Sequence, residues 1–202
     1  KIVRMIRHLI YSLRILILTI MGLGPISLFA QVTADFAANV TSGCSPLIVS
    51  FQNLSAGPGP LTYSWDLGNG NTSTGENPAA SYFDPGLYTI TLTITNGSES
   101  DTETKTAYVE VFTPPTPVIT PSQTLGCYPM EVAFTDNSLP GSSPIATWSW
   151  DFGDGGTSTF QNPSNTYGFG GIFDITLLLT GENGCTGNAT FNDLIEANDN
   201  DN

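Results

Sequence analysis

The sequence predicts an all-β chain, two tandem β-sandwich modules behind an N-terminal signal peptide. Three observations carry that reading. A segment recurs at a fixed spacing, apolar residues alternate with Thr and Ser at a period of two, and a basic then apolar leader ends in small residues.

The leader comes first in the chain. Lys1, Arg4, Arg7 and Arg14 precede the apolar run Ile15-Leu16-Ile17-Leu18-Thr19-Ile20-Met21, followed by the breakers Gly22, Gly24 and Pro25. Ser27 and Ala30 close the segment, so residues 1–30 read as a signal peptide cleaved after Ala30. The rival reading is a retained anchor. Its uninterrupted apolar core falls short of the roughly 20 residues a spanning helix needs. No Cys follows the run to carry a lipid.

The repeat sets the architecture of the remainder. Tyr63-Ser64-Trp65-Asp66-Leu67-Gly68-Asn69-Gly70 returns 85 positions later as Trp148-Ser149-Trp150-Asp151-Phe152-Gly153-Asp154-Gly155. The same shift carries Asn77-Pro78 onto Asn162-Pro163 and Tyr82 onto Tyr167. Gly43-Cys44-Ser45-Pro46 matches Gly126-Cys127-Tyr128-Pro129 at a shift of 83, so two residues were gained in between. The organisation expected is a first module over 31–112, a proline-rich linker over 113–117, a second module over 118–197 and a polar tail over 198–202.

Each copy reads as strands. Tyr88, Ile90, Leu92 and Ile94 alternate with threonines, and Phe173, Ile175, Leu177 and Leu179 repeat that inward set. Leu47, Val49 and Phe51 correspond to Met130, Val132 and Phe134. Tyr63, Trp65 and Leu67 correspond to Trp148, Trp150 and Phe152. One apolar and one Thr/Ser face per sheet require two sheets to close on each other. The prolines of the linker predict an extended connector that sets the modules end to end with little shared core. Trp65 and Trp150 are expected in the core, and the recurrence of Tyr82 and Tyr167 points to packing. Asn69-Gly70 and Asp154-Gly155 suit tight turns, with Asp66 and Asp151 accepting backbone N–H bonds there.

The run Trp150-Asp151-Phe152-Gly153-Asp154-Gly155, then Asn162-Pro163, Tyr167 and Gly171-Ile172-Phe173-Asp174-Ile175-Thr176-Leu177, resembles the PKD (polycystic kidney disease) domain family. The first copy departs from the signature at Leu67 and Asn69. The resemblance implies immunoglobulin-like seven-stranded sandwiches used outside the cell as spacers or binding modules. The signature residues Trp65, Asp66, Gly68, Gly70, Trp150, Asp151, Gly153 and Gly155 then carry a structural role. The Gly-Cys-x-Pro variant is similar to PKD arrays in surface and gliding adhesins of Bacteroidetes-type bacteria.

Charge and residue types exclude several chemistries. Beyond residue 30, Lys105 is the one cation against 18 acids, a net charge of −17. That is a poor match for nucleic acid, though it permits weak calcium association. The only imidazole is His8, within the leader, so the mature chain has no histidine base, and zinc has no ligand set. Asp151-x-x-Asp154 lacks the oxygen spacing of a calcium loop and reads as a turn. No catalytic, cofactor-binding or metal site is expected, and the repeated acids sit in turns rather than across a cleft.

The cysteines are three. Cys127 and Cys185 fall in one module, and Ser100 stands where a shift of 85 would put a partner in the first, so the expected disulfide is Cys127–Cys185 with Cys44 free. The alternatives are three reduced thiols, or Cys44 pairing between chains.

The function expected is that of a non-catalytic module pair, secreted or on the cell surface. It would space or present a binding region toward a protein or polysaccharide partner, with further PKD repeats in a longer chain as another partner. The alternative is a pair of accessory modules of a secreted hydrolase such as a chitinase or protease, and a weaker one a membrane-anchored stalk.

Overall fold

The computed structural model describes residues 31–199. The expected signal peptide and the last three residues of the tail lie outside them. Each copy folds into a three-stranded and a five-stranded sheet. The first contains β1 (Phe36–Ala38), β2 (Ser42–Cys44), β3 (Leu47–Asn53), β4 (Thr62–Asp66), β5 (Thr72–Ser73), β6 (Ala79–Tyr82), β7 (Gly86–Thr95) and β8 (Ser100–Phe112). Strand order is β1-β3-β6 in one sheet and β2-β8-β7-β4-β5 in the other. The second copy repeats this with β9 (Ile119–Pro121), β10 (Leu125–Cys127), β11 (Met130–Asp136), β12 (Ile145–Asp151), β13 (Thr157–Ser158), β14 (Ser164–Tyr167), β15 (Gly171–Gly181) and β16 (Thr186–Asn198). Its sheets run β14-β11-β9 and β10-β16-β15-β12-β13.

The period-two pattern dictates what faces inward. Val49 and Phe51 of β3, Trp65 of β4 and Ile90, Leu92 and Ile94 of β7 are buried, while the intervening residues face outward. Val132, Phe134, Trp150, Ile175, Leu177 and Leu179 do the same in the second copy. The buried side chains form two separate clusters, one per module. On the outer face, threonines opposite each other bond through their hydroxyls, Thr91 to Thr104 at 3.1 Å and Thr176 to Thr190 at 3.0 Å.

The long last strand of each module carries the same irregularity. Pairing jumps from Tyr88↔Val109 to Ile90↔Lys105, and from Phe173↔Ile195 to Ile175↔Phe191. The excess residues bulge outward through Ala107 and Asp193, with φ of 50° and 51°. In the first module this bend lets the Tyr108 hydroxyl accept from Ala38 N–H at 3.1 Å, tying the two sheets together. Lys105 reaches across as well, pairing with the Asp35 carboxylate at 3.0 Å and standing 4.6 Å from the Phe36 ring centroid. That cation and the Phe36 N–H hold the Asp35 carboxyl below its ordinary value.

Candidate functional site

The signature residues build a turn and a core anchor. Trp65 and Trp150 are each 1% exposed, and their indole N–H groups donate to the carbonyls of Gly75 at 3.0 Å and Phe160 at 2.9 Å. Asp66 Oδ1 accepts from Gly68 N–H, and Asp151 Oδ1 from Gly153 N–H, both at 2.9 Å. Gly68 and Gly153 have φ of +74° and +77°, and a Cβ there would lie 2.5 and 2.6 Å from the carbonyl oxygens of Thr89 and Asp174. Only glycine fits. Gly70 and Gly155 close the turns at φ of 84° and 92°.

Asp154 uses both oxygens inside the turn, accepting from Gly156 N–H at 2.8 Å and from the Asn165 amide at 2.8 Å. Asn69, its counterpart, accepts from Asn71 N–H and donates to the Ser81 carbonyl. Tyr82 and Tyr167 lie under these turns, fully buried. Their hydroxyls donate to the Leu67 carbonyl at 2.7 Å and the Phe152 carbonyl at 3.3 Å, and burial pushes both up to about 12.

The cysteines correct the sequence reading. The disulfide joins Cys44 to Cys185, while Cys127 is free and exposed. The reason is geometric. Cys127 lies on β10, whose parallel pairing sets it opposite Asn198, the last residue of β16. Cys185 lies at the other end of β16, just before Thr186. Thirteen strand residues separate the two ends by about 40 Å. Cys44, opposite Phe112 where the chain leaves the first module, is instead next to the β15–β16 turn of the second.

The counterpart of Cys185 also differs from the expectation. Asn96 N–H closes the β7–β8 turn on Glu99 O, whereas Gly181 N–H closes the longer β15–β16 turn on Cys185 O. The extra residue moves the correspondence, so that Ala107 matches Asp193 and Val109 matches Ile195. Cys185 therefore aligns structurally with Glu99, not Ser100.

The proline linker is bound to the second module. Thr113 N–H donates to Ser142 Oγ at 2.7 Å and its carbonyl accepts from Ser142 N–H at 3.0 Å. Thr116 and Leu139 exchange both backbone bonds. Pro115 is buried, and its carbonyl oxygen lies 1.7 Å from where a Cβ on Gly187 would stand. The connector is stitched to its neighbour at Thr113 and Thr116.

Beside the linker opens a shallow groove of about 580 Å³, lined by Asp136, Ser138, Ser142, Ile145, Trp148 and Gln161 among others. Asp136 Oδ2 accepts from Trp148 Nε1 at 2.8 Å and Gln161 Nε2 at 3.1 Å, and its Oδ1 from Ser138 N–H at 3.0 Å. Burial pushes the carboxyl up, and the bonds from Ser138, Trp148 and Gln161 outweigh it and hold it below its ordinary value. Asp136 is the one carboxylate among the residues lining the groove. Among the described residues no cluster of three or more His, Cys, Asp or Glu is placed to hold a metal. The groove was not read from the sequence, although the two residues gained between the copies fall in its rim, between Asp136 and Trp148.

The profile of the PKD domain family matches residues 31–111 and 113–195. A microbial collagenase of Vibrio alginolyticus is 38% identical over 63 residues, covering 31% of this chain and 8% of that protein. The pre-pro-metalloprotease PrtV of Vibrio cholerae is 43% identical over 54 residues, covering 27% and 6%. The chain thus spans less than a tenth of the length of the curated relatives it matches. Among solved structures, the PKD1 domain of PrtV is 38% identical with a TM-score of 0.35, covering 40% of this chain and 98% of that one. The PKD1 domain of Vibrio anguillarum Epp is 22% identical with a TM-score of 0.37, covering 42% and 96%.

Proposed function

The chain belongs to the PKD domain family, and on that premise we propose that it acts as a non-catalytic, extracytoplasmic spacer whose two modules hold a binding region at a fixed reach. The observation that carries this reading is the Cys44–Cys185 bond between modules. A flexible tether would need neither that bond nor a linker hydrogen-bonded into the second module. A disulfide also suits an oxidising compartment, in keeping with export. The partner to which the region is presented is a protein or polysaccharide at the cell surface. Backbone ¹⁵N relaxation of the oxidised protein is the test. One rotational correlation time for both modules is expected, and two independent ones would sink the spacer reading.

A second reading has its own support. The matches to a collagenase and a metalloprotease favour accessory modules of a secreted hydrolase, with the Trp148 groove touching an insoluble substrate. Retention on insoluble collagen or chitin that disappears in Trp148→Ala would select this reading. Equal retention of both forms would discard the groove as the contact.

A further inference from the structure

The two copies place their Gly-Cys segments alike, yet only one of the two cysteines is bonded. β2 runs parallel to β8 with Cys44 opposite Phe112, and β10 runs parallel to β16 with Cys127 opposite Asn198. Just beyond, Ser45 N–H donates to the Phe112 carbonyl at 3.1 Å and Tyr128 N–H to the Asn198 carbonyl at 3.0 Å. Each cysteine therefore marks the corner where the chain leaves its module.

At the first corner the next module is seated, and Cys44 is bonded to Cys185 at that module's β15–β16 turn. At the second corner Cys127 is exposed and free. The turn position tells the complementary story. The second module has Cys185 there, fully buried and bonded to Cys44 of the first, while the first module has the exposed Glu99. In the bonded pair, then, the corner cysteine joins the module that follows it and the turn cysteine the module that precedes it.

We propose that Cys127 is the forward half of a second intermodule disulfide, whose partner is the turn cysteine of a third module of this same kind. That module would sit on the Cys127–Asn198 corner as the second sits on the Cys44–Phe112 corner. It is recognisable by a cysteine at the position of Cys185 and a glycine at that of Gly187, where a Cβ would strike the incoming linker. The bond forms when two thiols lose two protons and two electrons to a disulfide oxidant, which is reduced to two thiols. The inference uses the same Cys44–Cys185 geometry as the spacer reading but not its function. Modules that tumbled independently would defeat the spacer and leave the pairing of Cys127 to be decided by mapping.

The test duplicates residues 113–198 within the full chain, so that Asn198 is followed directly by a second copy of the linker and module. Folded in a buffer of oxidised and reduced glutathione, this five-cysteine protein should retain one free thiol. Peptide mapping should join Cys127 to the appended copy of Cys185. Three free thiols, or Cys127 joined to its own appended copy or to another chain, would overturn the proposal. Should the duplicated chain fail to fold, Glu99→Cys with Asp101→Gly in the full chain, which gives the first module both marks, offers the same choice. Head-to-tail oligomers linked from Cys127 to the cysteine introduced at position 99, and abolished by Cys127→Ser, support it. Symmetric Cys127–Cys127 dimers as the main product refute it.

Discussion

Cys44 and Cys185 stand 141 residues apart in the chain and 5.5 Å apart at Cα, and the bond between them crosses from one module to the next. Neither module needs it to close its own core, since the two buried clusters are separate. The bond couples modules rather than stapling one. Removing it with Cys185→Ser should leave the β content intact and split unfolding into two transitions, where the oxidised protein shows more concerted melting. Thiol counting in denaturant should find one free group in the wild type, and Cys127 should react in the native state as well. A native protein that resists alkylation, or a mapped Cys127–Cys185 bridge, would contradict the structure.

Trp65 and Trp150 fill the space between sheets with their N–H groups satisfied. Replacing either by Ala removes a fully buried indole and should destabilise its own module by about 3–5 kcal/mol. With the disulfide reduced, the partner module should hold its melting point. A loss below about 1 kcal/mol would be incompatible with these residues as core anchors.

These anchors were legible because a duplicated sequence is its own control. A position apolar in both copies at period two, such as Val49 and Val132, must face a core. The Gly-rich turns were legible for a similar reason, since Gly68 and Gly153 meet a carbonyl that only glycine tolerates. The disulfide was not legible. Its choice depends on β10 pairing parallel with the far end of β16, a long-range register that no local pattern encodes. The groove escaped for the opposite reason. Asp136 and Gln161 differ from Asn53 and Glu76 of the first copy, so the comparison that exposed the core hid what the second module does alone.

The buried tyrosines set an alkaline limit. An unfolded phenol ionises near pH 10, whereas Tyr82 and Tyr167 stay protonated until about 12. Above the unfolded value, deprotonation favours the unfolded chain. Stability should be flat with respect to these groups below pH 10 and decline between about 10 and 12. Tyr82→Phe should remove that tyrosine's share of the decline, and at pH 7 lose about 1 kcal/mol with its bond to the Leu67 carbonyl. Unchanged alkaline melting in the double Phe variant would refute the assignment.

Asp136 works at the acid end. Its folded value lies below the ordinary carboxylate value, so its contribution is complete above about pH 4 and is lost as pH falls through the folded value. Protonation withdraws charge from the oxygen that accepts the Trp148 indole N–H. The difference in fluorescence between the wild type and Trp148→Phe should therefore show an acid step below pH 4. Asp136→Asn should abolish it. A step of unchanged midpoint in that variant would place its origin elsewhere.

The linker gives the sharpest steric prediction. Gly187 opens β16 beside Pro115, and any side chain there would occupy the space of the Pro115 carbonyl, 1.7 Å from the position of a Cβ. The second module's core does not include Gly187, so Gly187→Ala should leave its packing unchanged. The linker, however, must move by well over an ångström, and the bonds nearest the displaced carbonyl are those of Thr113 to Ser142 and Thr116 to Leu139. Amide exchange at Thr113 and Thr116 should rise by an order of magnitude or more, about 1.4 kcal/mol per tenfold change. Exchange at Leu177 and Ile195, deep in the second module, should stay slow. If Thr116 remains as protected in Gly187→Ala as in the wild type, the linker does not pack against β16 as the structure places it.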